Sequence, residues 1–365
     1  MIFSGFDHEC MATALRLARR GLFTTDPNPR VGCVIAGRKR VAGMGWHEKA
    51  GGPHAEIMAL REAGESARGK TAYVTLEPCS YQGRTPPCVD ALLEAGIKRV
   101  VVAAKDPNPR VNGNGLQRLR TAGVKVETGL MASAAESLNP GFTMRMKRGR
   151  PWVRVKSAIS LDGRTALRNG DSKWISSDAS RLDVQRWRAR SSAILTGIGT
   201  VLADDPAMDA RVDQAVQQPL RVVADSRWRT PPDSLILAGT GPALIAGDSS
   251  LPIPAALQDT AAQCLRLPAR SGALDLLALM EALAEMEINE IQVEAGARLC
   301  GALFKEKLID ELLIYQAPLL LGDGGPGPIA FGPLESMAER THLELLETAQ
   351  LGDDLRLRFQ AKPRG

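Results

Sequence analysis

The sequence predicts two α/β domains in succession. Patterns typical of strands alternate with patterns typical of helices through both halves of the chain. The length of 365 residues is also comfortable for two domains. A basic stretch that ends in glycine and proline, residues 144–151, separates the two halves. Because such stretches are typical of linkers, we expect one domain over residues 1–148 and a second over residues 149–365.

The first half begins with a predicted helix and a strand hairpin. Residues 7–20 carry apolar side chains at helical spacing. Residues 31–36 and 41–47 are strand-like and flank a polar turn at 37–40, so they predict a hairpin. Further strands are expected at 71–76, 99–104 and 124–127. Further helices are expected at 54–63, 88–95 and 115–122.

A second alternation starts at Trp152 and predicts another layered α/β domain. Its strands are expected at 152–157, 193–196, 220–224, 243–245, 290–294 and 311–317. Its helices are expected at 180–189, 274–286 and 297–303.

Composition excludes several functional classes. A net charge of +5 suits an anionic ligand but is too mild to indicate a nucleic-acid partner. Aromatic residues make up 4%, which argues against a base-stacking surface. We expect no signal peptide and no membrane span, because the sequence contains neither pattern. Six cysteines in a chain of this length do not form a disulfide framework, so we expect a cytoplasmic protein.

Three short segments predict a catalytic zinc site. His54, Cys79 and Cys88 offer one imidazole and two thiolates, and three protein ligands leave the fourth position for water. His54 and Cys88 fall at predicted helix starts, where the partial positive charge stabilises thiolates. Glu56 follows two residues after the histidine and is suited to move protons from water to a leaving nitrogen. This is the arrangement of zinc-dependent base deaminases.

Two other interpretations use the same residues. A closed, structural zinc site would need a fourth ligand, for which Cys33 and His47 are candidates, but it would leave Glu56 without a purpose. A deaminase acting within nucleic acid predicts a basic groove and stacking aromatics, and it leaves the second half of the chain unexplained.

The string Asp-Pro-Asn-Pro-Arg-Val occurs twice, at residues 26–31 and 106–111. Two prolines around an asparagine make a stiff turn. The copies are either unrelated surface turns or loops at the mouth of the site, where such a turn holds Asn28 against a ligand.

In the second half, a predicted strand ends at Gly296 and a helix follows. Backbone N–H groups at such a turn can hold a phosphate. The glycines at 296 and 301 are weak evidence alone, and they do not form the Rossmann fingerprint.

The spacing of the cysteines identifies a family. Eight residues separate Cys79 from Cys88, whereas the general deaminase pattern has two. Residues 78–88, Pro-Cys-Ser-Tyr-Gln-Gly-Arg-Thr-Pro-Pro-Cys, closely resemble the bifunctional deaminase/reductase of riboflavin biosynthesis, the RibD type. Tyr81 stands where we expect histidine in that family. Further matching segments extend over nearly the whole chain and lie at 27–35, 45–56, 106–115, 160–164 and 201–206.

The resemblance implies a cytidine-deaminase-like α/β/α sandwich followed by a dihydrofolate-reductase-like α/β domain. The first domain would use one Zn²⁺ to deaminate 2,5-diamino-6-(5-phosphoribosylamino)pyrimidin-4(3H)-one. The second would use NADPH to reduce the ribose of 5-amino-6-(5-phosphoribosylamino)uracil to a ribityl chain. The resemblance also implies a homodimer formed through the reductase half.

Site residues follow by matching the family's motifs. Asn28 and His47 are implied as substrate contacts in the first domain. The implied cofactor positions are Ala158, Trp174, Thr200, Asp204, Ser226, Gly296, Ala297, Arg298, Leu299, Cys300, Gly301 and Ala302. The implied substrate positions of the second domain are Ser172, Arg188, Met208, Arg211 and Glu294. The two arginines among them suit a phosphate, which a guanidinium fork can grip at two points.

Overall fold

The protein folds as two α/β units. The structure is a computed structural model that describes residues 3–37, 39–81, 86–109 and 111–361. The chain divides into the compact units Met1–Gly149 and Arg150–Gly365. Each unit combines a mixed sheet with helices, which confirms the predicted α/β class.

The first unit contains a five-stranded sheet. Its elements are α1 (Gly5–Ala18), β1 (Gly32–Gly37), β2 (Arg40–Trp46), α2 (Ala55–Ala63), β3 (Thr71–Leu76), α3 (Cys88–Glu94), β4 (Arg99–Ala104), α4 (Asn114–Thr121), β5 (Lys125–Thr128), α5 (Ala132–Glu136) and α6 (Pro140–Arg148). The strand order is β2-β1-β3-β4-β5. Strand β1 is antiparallel to both neighbours, whereas β3, β4 and β5 are parallel.

Helices cover both faces of this sheet. On β1, Val34 and Ala36 pack in the layer formed by α1, α5 and α6, whereas Cys33 and Ile35 pack in the layer formed by α2, α3 and α4. This division follows from the two-residue period of a strand. The first unit is therefore a three-layered sandwich.

The second unit contains a nine-stranded sheet. Its elements are β6 (Trp152–Ile159), α7 (Asp178–Arg190), β7 (Ala193–Gly197), α8 (Ile198–Asp204), β8 (Leu220–Ala224), α9 (Leu235–Ala238), β9 (Ala243–Asp248), α10 (Ala255–Gln258), β10 (Gln263–Leu267), β11 (Ala269–Arg270), β12 (Ala273–Leu274), α11 (Leu276–Glu285), β13 (Glu290–Val293), α12 (Ala297–Lys305), β14 (Glu311–Gln316), β15 (Leu343–Leu351) and β16 (Asp354–Ala361).

The order of the large sheet is β10-β9-β8-β7-β13-β6-β14-β16-β15. In this spatial order, the seven strands β10, β9, β8, β7, β13, β6 and β14 are all parallel, so their carboxyl ends meet at one edge. Strands β11 and β12 form a separate two-stranded sheet. The hairpin of β15 and β16 adds two antiparallel strands beside β14. The largest core cluster packs α11 and α12 against one face of the sheet, and ligands of such sheets bind at the carboxyl edge.

Several elements were not predicted from the sequence, namely α5, α6, α8, α9, α10, β10, β11, β12 and the hairpin of β15 and β16. Arg38, in the predicted hairpin turn, lies outside the described residues. Within the described ranges, no helix is long and apolar enough to cross a membrane.

Candidate functional site

His54, Cys79 and Cys88 form a compact cluster in the first unit. Their ligand atoms all lie within 4.8 Å of one another. Nδ1 of His54 is 3.1 Å from Sγ of Cys88 and 3.6 Å from Sγ of Cys79. One imidazole and two sulfurs around a common point fit Zn²⁺. No fourth His, Cys, Asp or Glu among the described residues joins them, so the closed site with Cys33 or His47 as ligand is not formed.

Secondary structure places each ligand of this cluster. His54 is the N-cap of α2, and Cys88 is the first residue of α3. Cys79 lies in the turn that follows β3, where its sulfur accepts the backbone N–H of Cys88 at 3.3 Å. Hydrogen bonds from Cys88 and from His54 lower the pKa of Cys79 to about 4, whereas the hydrogen bond to Cys79 and burial raise the pKa of Cys88. Both sulfurs must be thiolates to bind a metal, so binding of a cation releases any proton that they carry.

Glu56 lies in the first turn of α2 and is 3% exposed. Burial raises the pKa of its carboxyl group to about 7, with the charge of Cys79 acting in the same direction and that of His54 opposing it. The side chain also hydrogen-bonds with Cys88. A carboxyl group with this pKa can both accept and release a proton near neutral pH.

The first copy of the repeated string lies beside the cluster. The amide Nδ2 of Asn28 is 3.0 Å from Nε2 of His47, whose Nδ1 is 3.0 Å from the carbonyl oxygen of Pro53. Because a carbonyl only accepts, Nδ1 carries the proton and Nε2 accepts from the amide. Burial lowers the pKa of His47, which favours this neutral form. The ring centroids of His47 and His54 are 5.5 Å apart, so the structure brings both predicted contacts next to the cluster.

The second copy of the string contacts the segment that precedes Cys79. The backbone N–H of Asp106 donates to Glu77, which stands two residues before Cys79. Sequence reasoning did not single out Glu77, although its position directly before the Pro-Cys pair was a usable indication. Arg110 and residues 82–85, which belong to the motifs discussed above, lie outside the described residues.

Two adjoining cavities lie at the carboxyl edge of the sheet in the second unit. The first has a volume of about 760 Å³ and the second about 900 Å³. Both are lined by Thr200, Asp204, Gly296 and Ala297, so they form one continuous cleft. The other predicted cofactor residues that line the cleft are Ala158, Trp174, Ser226, Arg298, Leu299 and Ala302. The predicted substrate residues that line it are Ser172, Arg188, Met208, Arg211 and Glu294.

Two predicted cofactor positions do not line the cleft. Cys300 is buried in the core, and its backbone N–H bonds to the carbonyl oxygen of Gly296. A Cβ at Gly301 would lie 1.9 Å from the carbonyl oxygen of Ala330, so this glycine allows close packing. Gly296 is the N-cap of α12 and faces open space. The helix N–H groups that remain for a ligand therefore belong to its first turn.

A buried ion pair forms one wall of the second cavity. Arg188 donates to Glu294 through Nε at 2.7 Å and Nη2 at 2.9 Å. Burial by itself would raise the pKa of Glu294, but Arg188 and Lys156 outweigh it and hold the pKa at about 2. Lys156 also lines this cavity, and burial lowers its pKa. Arg188 is thus committed largely to Glu294, whereas Arg211 is exposed and pairs with Asp209.

Trp174 lies at the rim of the same cavity. Its side chain is 70% exposed, and the guanidinium carbon of Arg181 lies 4.6 Å from its ring centroid. The neighbouring Lys173 pairs with Asp204 at 3.8 Å. This segment leaves an aromatic surface beside the cavity that is open to a ligand.

Comparison with known proteins assigns both units. Residues 4–104 match the cytidine and deoxycytidylate deaminase zinc-binding region, and residues 151–357 match the RibD C-terminal domain. The riboflavin biosynthesis protein RibD of Escherichia coli K12 is 47% identical over 363 residues, which cover 96% of this chain and 98% of that protein. The Haemophilus influenzae RibD is 43% identical over 372 residues, with 99% of each chain covered.

Solved structures give the same result. Acinetobacter baumannii RibD superposes with a TM-score of 0.92 at 44% identity, covering 98% of this chain and 99% of that one. A diaminohydroxyphosphoribosylaminopyrimidine deaminase/5-amino-6-(5-phosphoribosylamino)uracil reductase from Thermotoga maritima superposes with a TM-score of 0.87 at 30% identity, with the same coverage. The first unit accordingly has the cytidine-deaminase-like fold and the second the reductase fold expected from the resemblance. The chain belongs to the RibD family of riboflavin biosynthesis and carries a zinc-dependent deaminase and an NADPH-dependent reductase on one polypeptide.

Proposed function

We propose that this enzyme acts on a phosphoribosylated diaminopyrimidinone in two successive steps. Residues 1–148 would deaminate 2,5-diamino-6-(5-phosphoribosylamino)pyrimidin-4(3H)-one. Residues 149–365 would reduce the ribose of the resulting 5-amino-6-(5-phosphoribosylamino)uracil to a ribityl chain. The observation that carries the proposal is the convergence of three metal ligands on a buried carboxylic acid in one unit, with a large cleft at the sheet edge of the other.

In the deaminase, His54, Cys79 and Cys88 hold the zinc ion. When bound, zinc acts as a Lewis acid that acidifies water. Glu56 would take a proton from water in the site and deliver it to the departing amino group, since burial raises the pKa of its carboxyl group towards neutrality. Its burial also excludes competing water from the proton path.

Asn28 and His47 hold the pyrimidine beside the zinc ligands. Their mutual hydrogen bond fixes the asparagine amide, and the bond of His47 to Pro53 fixes the imidazole. The remaining amide groups of Asn28 are then free to recognise the polar edge of a base. A neutral His47 also avoids placing a second positive charge next to the metal.

In the reductase, NADPH supplies the hydride. The first turn of α12 and Arg298 suit its pyrophosphate, because helix N–H groups and a guanidinium both bind phosphate. Ser226 and Asp204 line the cleft where the sugar and phosphate groups would lie, and Trp174 offers an aromatic surface. The remaining proposed cofactor positions that line the cleft are Ala158, Thr200, Gly296, Ala297, Leu299 and Ala302. Cys300 and Gly301 would act indirectly, through the packing of α12.

The substrate occupies the second cavity, where Ser172, Met208, Arg211, Arg188 and Glu294 line the wall. The exposed Arg211 is suited to the substrate phosphate. Arg188 keeps the Glu294 carboxylate ionised and in a fixed orientation. A fixed, ionised carboxylate can accept hydrogen bonds from the hydroxyl groups of a sugar.

We also propose a homodimer formed through the second unit and a cytoplasmic location. Strand β15 ends the sheet and exposes Leu343, Leu345 and Leu346, which supports an association through this edge. None of the six cysteines, all of which lie in the described ranges, forms a disulfide, which suits a reducing compartment.

The substitution Glu56→Gln tests the deaminase assignment. We expect ammonia release from the phosphoribosyl diaminopyrimidinone to fall by at least about 100-fold, because the amide cannot carry the proton. Zinc content and NADPH oxidation with the deaminated compound should stay at the wild-type level, as measured by metal analysis and absorbance. Faster deamination of oligonucleotides than of the free nucleotide would refute the proposed substrate class.

A further inference from the structure

We propose that α4 acts as a clamp on the zinc ligand Cys79 and thereby determines how tightly the zinc ion is held. The clamp consists of Glu77, Gly115 and Arg118. The proposal rests on the proposed function, since it presupposes that Cys79 binds zinc. None of the three clamp residues is a metal ligand, and their role is to position one.

The first part of the clamp is the carboxylate of Glu77, which is 4% exposed. Its Oε1 accepts the backbone N–H groups of Gly115 at 3.0 Å and Leu116 at 3.3 Å. Its Oε2 accepts those of Gly113 at 3.0 Å and Asp106 at 3.4 Å. A helix start leaves its N–H groups free and carries partial positive charge, so a carboxylate is the matching partner. The residue two positions before Cys79 is therefore fixed to the start of α4.

The second part is the close approach of Gly115 to the turn that carries Cys79. A Cβ at this position would lie 2.2 Å from the carbonyl oxygen of Pro78 and 3.2 Å from Oε1 of Glu77. Only glycine permits this distance, because real side chains do not come so near to a backbone oxygen. The helix start thus packs directly against the residue before Cys79.

The third part is Arg118, one helical turn further along α4. Its Nη1 donates to the carbonyl oxygen of Ser80 at 2.9 Å, and its Nη2 donates to Asp90 at 2.5 Å. Ser80 follows Cys79 directly, and Asp90 lies in the first turn of α3, which Cys88 begins. Arg118 therefore ties the segment of one sulfur ligand to the helix of the other.

Together these contacts hold the chain on both sides of Cys79. Cys79 follows the end of β3 and lies in no helix or strand. The regular hydrogen bonds of a helix or sheet therefore do not hold its backbone in place. Groups that orient metal ligands typically change metal affinity about 10- to 100-fold when they are removed. We infer that α4 supplies this orientation for Cys79.

Zinc release from the full-length, zinc-loaded enzyme to a chromogenic chelator tests the clamp. Arg118→Gln should release zinc about two- to fivefold faster, the range expected for a partly exposed ion pair and hydrogen bond. Glu77→Gln should release it at least about tenfold faster, because the amide NH₂ would face N–H donors. Arg120→Gln is the matched control: Arg120 lies on the same helix, is exposed, and its side chain has no hydrogen bond or ion pair within the described ranges.

The possible results separate the clamp from the proposed function. Wild-type protein that holds no zinc would overturn the proposed function and the clamp with it. Zinc-loaded variants that release the metal at the rate of Arg120→Gln would overturn the clamp alone. If circular dichroism shows that Glu77→Gln does not fold, the Arg118→Gln variant decides the question. Zinc release faster than from Arg120→Gln would support the clamp, and release at the same rate would overturn it.

Discussion

A buried guanidinium group, that of Arg154, illustrates how single residues support the second unit. Its Nη2 lies 3.1 Å from Glu290 and 3.0 Å from Glu311. Its Nε and Nη1 have no hydrogen-bond partner among the described residues, but the guanidinium carbon lies 4.6 Å from the ring centroid of Trp187. The face of an aromatic ring attracts a cation. Two carboxylates and one aromatic ring therefore compensate the buried positive charge of Arg154. The loss of either carboxylate leaves this charge poorly compensated.

The substitution Glu311→Gln should lower the free energy of unfolding of the second unit by about 3 kcal/mol at pH 7. Burial would raise the pKa of Glu311, but Arg154 and Arg358 outweigh it and lower the pKa from 4.5 to about 2. Because the pKa is depressed in the folded state, the wild-type stabilisation is present above pH 4.5 and is lost as the pH falls through 2. In the Glu311→Gln variant, the free energy of unfolding should therefore fall less between pH 4.5 and pH 2 than in the wild type.

Urea denaturation between pH 7 and pH 2 measures both effects through tryptophan fluorescence. Four of the five tryptophans lie in the second unit, so this fluorescence reports mainly on its unfolding. Glu285→Gln serves as a control, because Glu285 is exposed on α11. Equal pH profiles for the wild type and Glu311→Gln would contradict a role of this carboxylate in acid sensitivity.

At the scale of elements, the strand–turn–helix unit of β13 and α12 combines packing and ligand binding. A Cβ at Gly301 would lie 1.9 Å from the carbonyl oxygen of Ala330, whereas a Cβ at Gly296 would meet nothing within 4 Å. Gly296 lines both cavities. Its φ angle of −68° is one that any residue type can adopt, so the backbone does not require glycine there. The two glycines of one turn and helix thus serve different purposes, one for packing and one for a ligand.

We expect Gly301→Ala to lower the free energy of unfolding of the second unit by about 2 kcal/mol, since the methyl group overlaps backbone atoms. Gly296→Ala should leave stability within about 0.5 kcal/mol of the wild type. It should weaken NADPH binding instead, because the methyl group enters the cleft. Urea denaturation and NADPH titration by calorimetry measure the two quantities. The reverse pattern, with stability lost in Gly296→Ala only, would contradict this division.

The sequence allowed most of the sheet strands to be predicted, because strands such as β4 and β7 are buried, mainly apolar runs next to helical patterns. The hairpin of β15 and β16 was missed although β16 alternates polar and apolar residues, because β15 is mostly exposed and its own alternation is interrupted by an irregularity between Leu345 and Glu347. Likewise, the zinc ligands could be predicted from residue type and spacing. The contacts of Glu77 could not, because they join segments almost 40 residues apart and exist only in the folded chain.

At the scale of the molecule, the residues proposed for each activity lie within one unit. The zinc ligands and Glu56 belong to the first unit, and the described residues that line the two cavities belong to the second. The fold of each unit explains where its groups lie: two helix starts and the segment after β3 carry the zinc ligands, and the carboxyl ends of parallel strands form the cleft. Among the described residues, the two sets proposed for the two chemistries therefore do not overlap.

Removal of zinc should consequently separate the two activities. After dialysis against a chelator, ammonia release from the phosphoribosyl diaminopyrimidinone should be lost, because the Lewis acid is absent. NADPH oxidation with the deaminated compound should continue at the wild-type rate, since no residue of the cleft belongs to the zinc cluster. Adding Zn²⁺ back should restore ammonia release, whereas Mg²⁺, which prefers oxygen ligands, should not. A parallel loss of both activities on chelation would mean that the reductase depends on the zinc site and would contradict the independence of the two units.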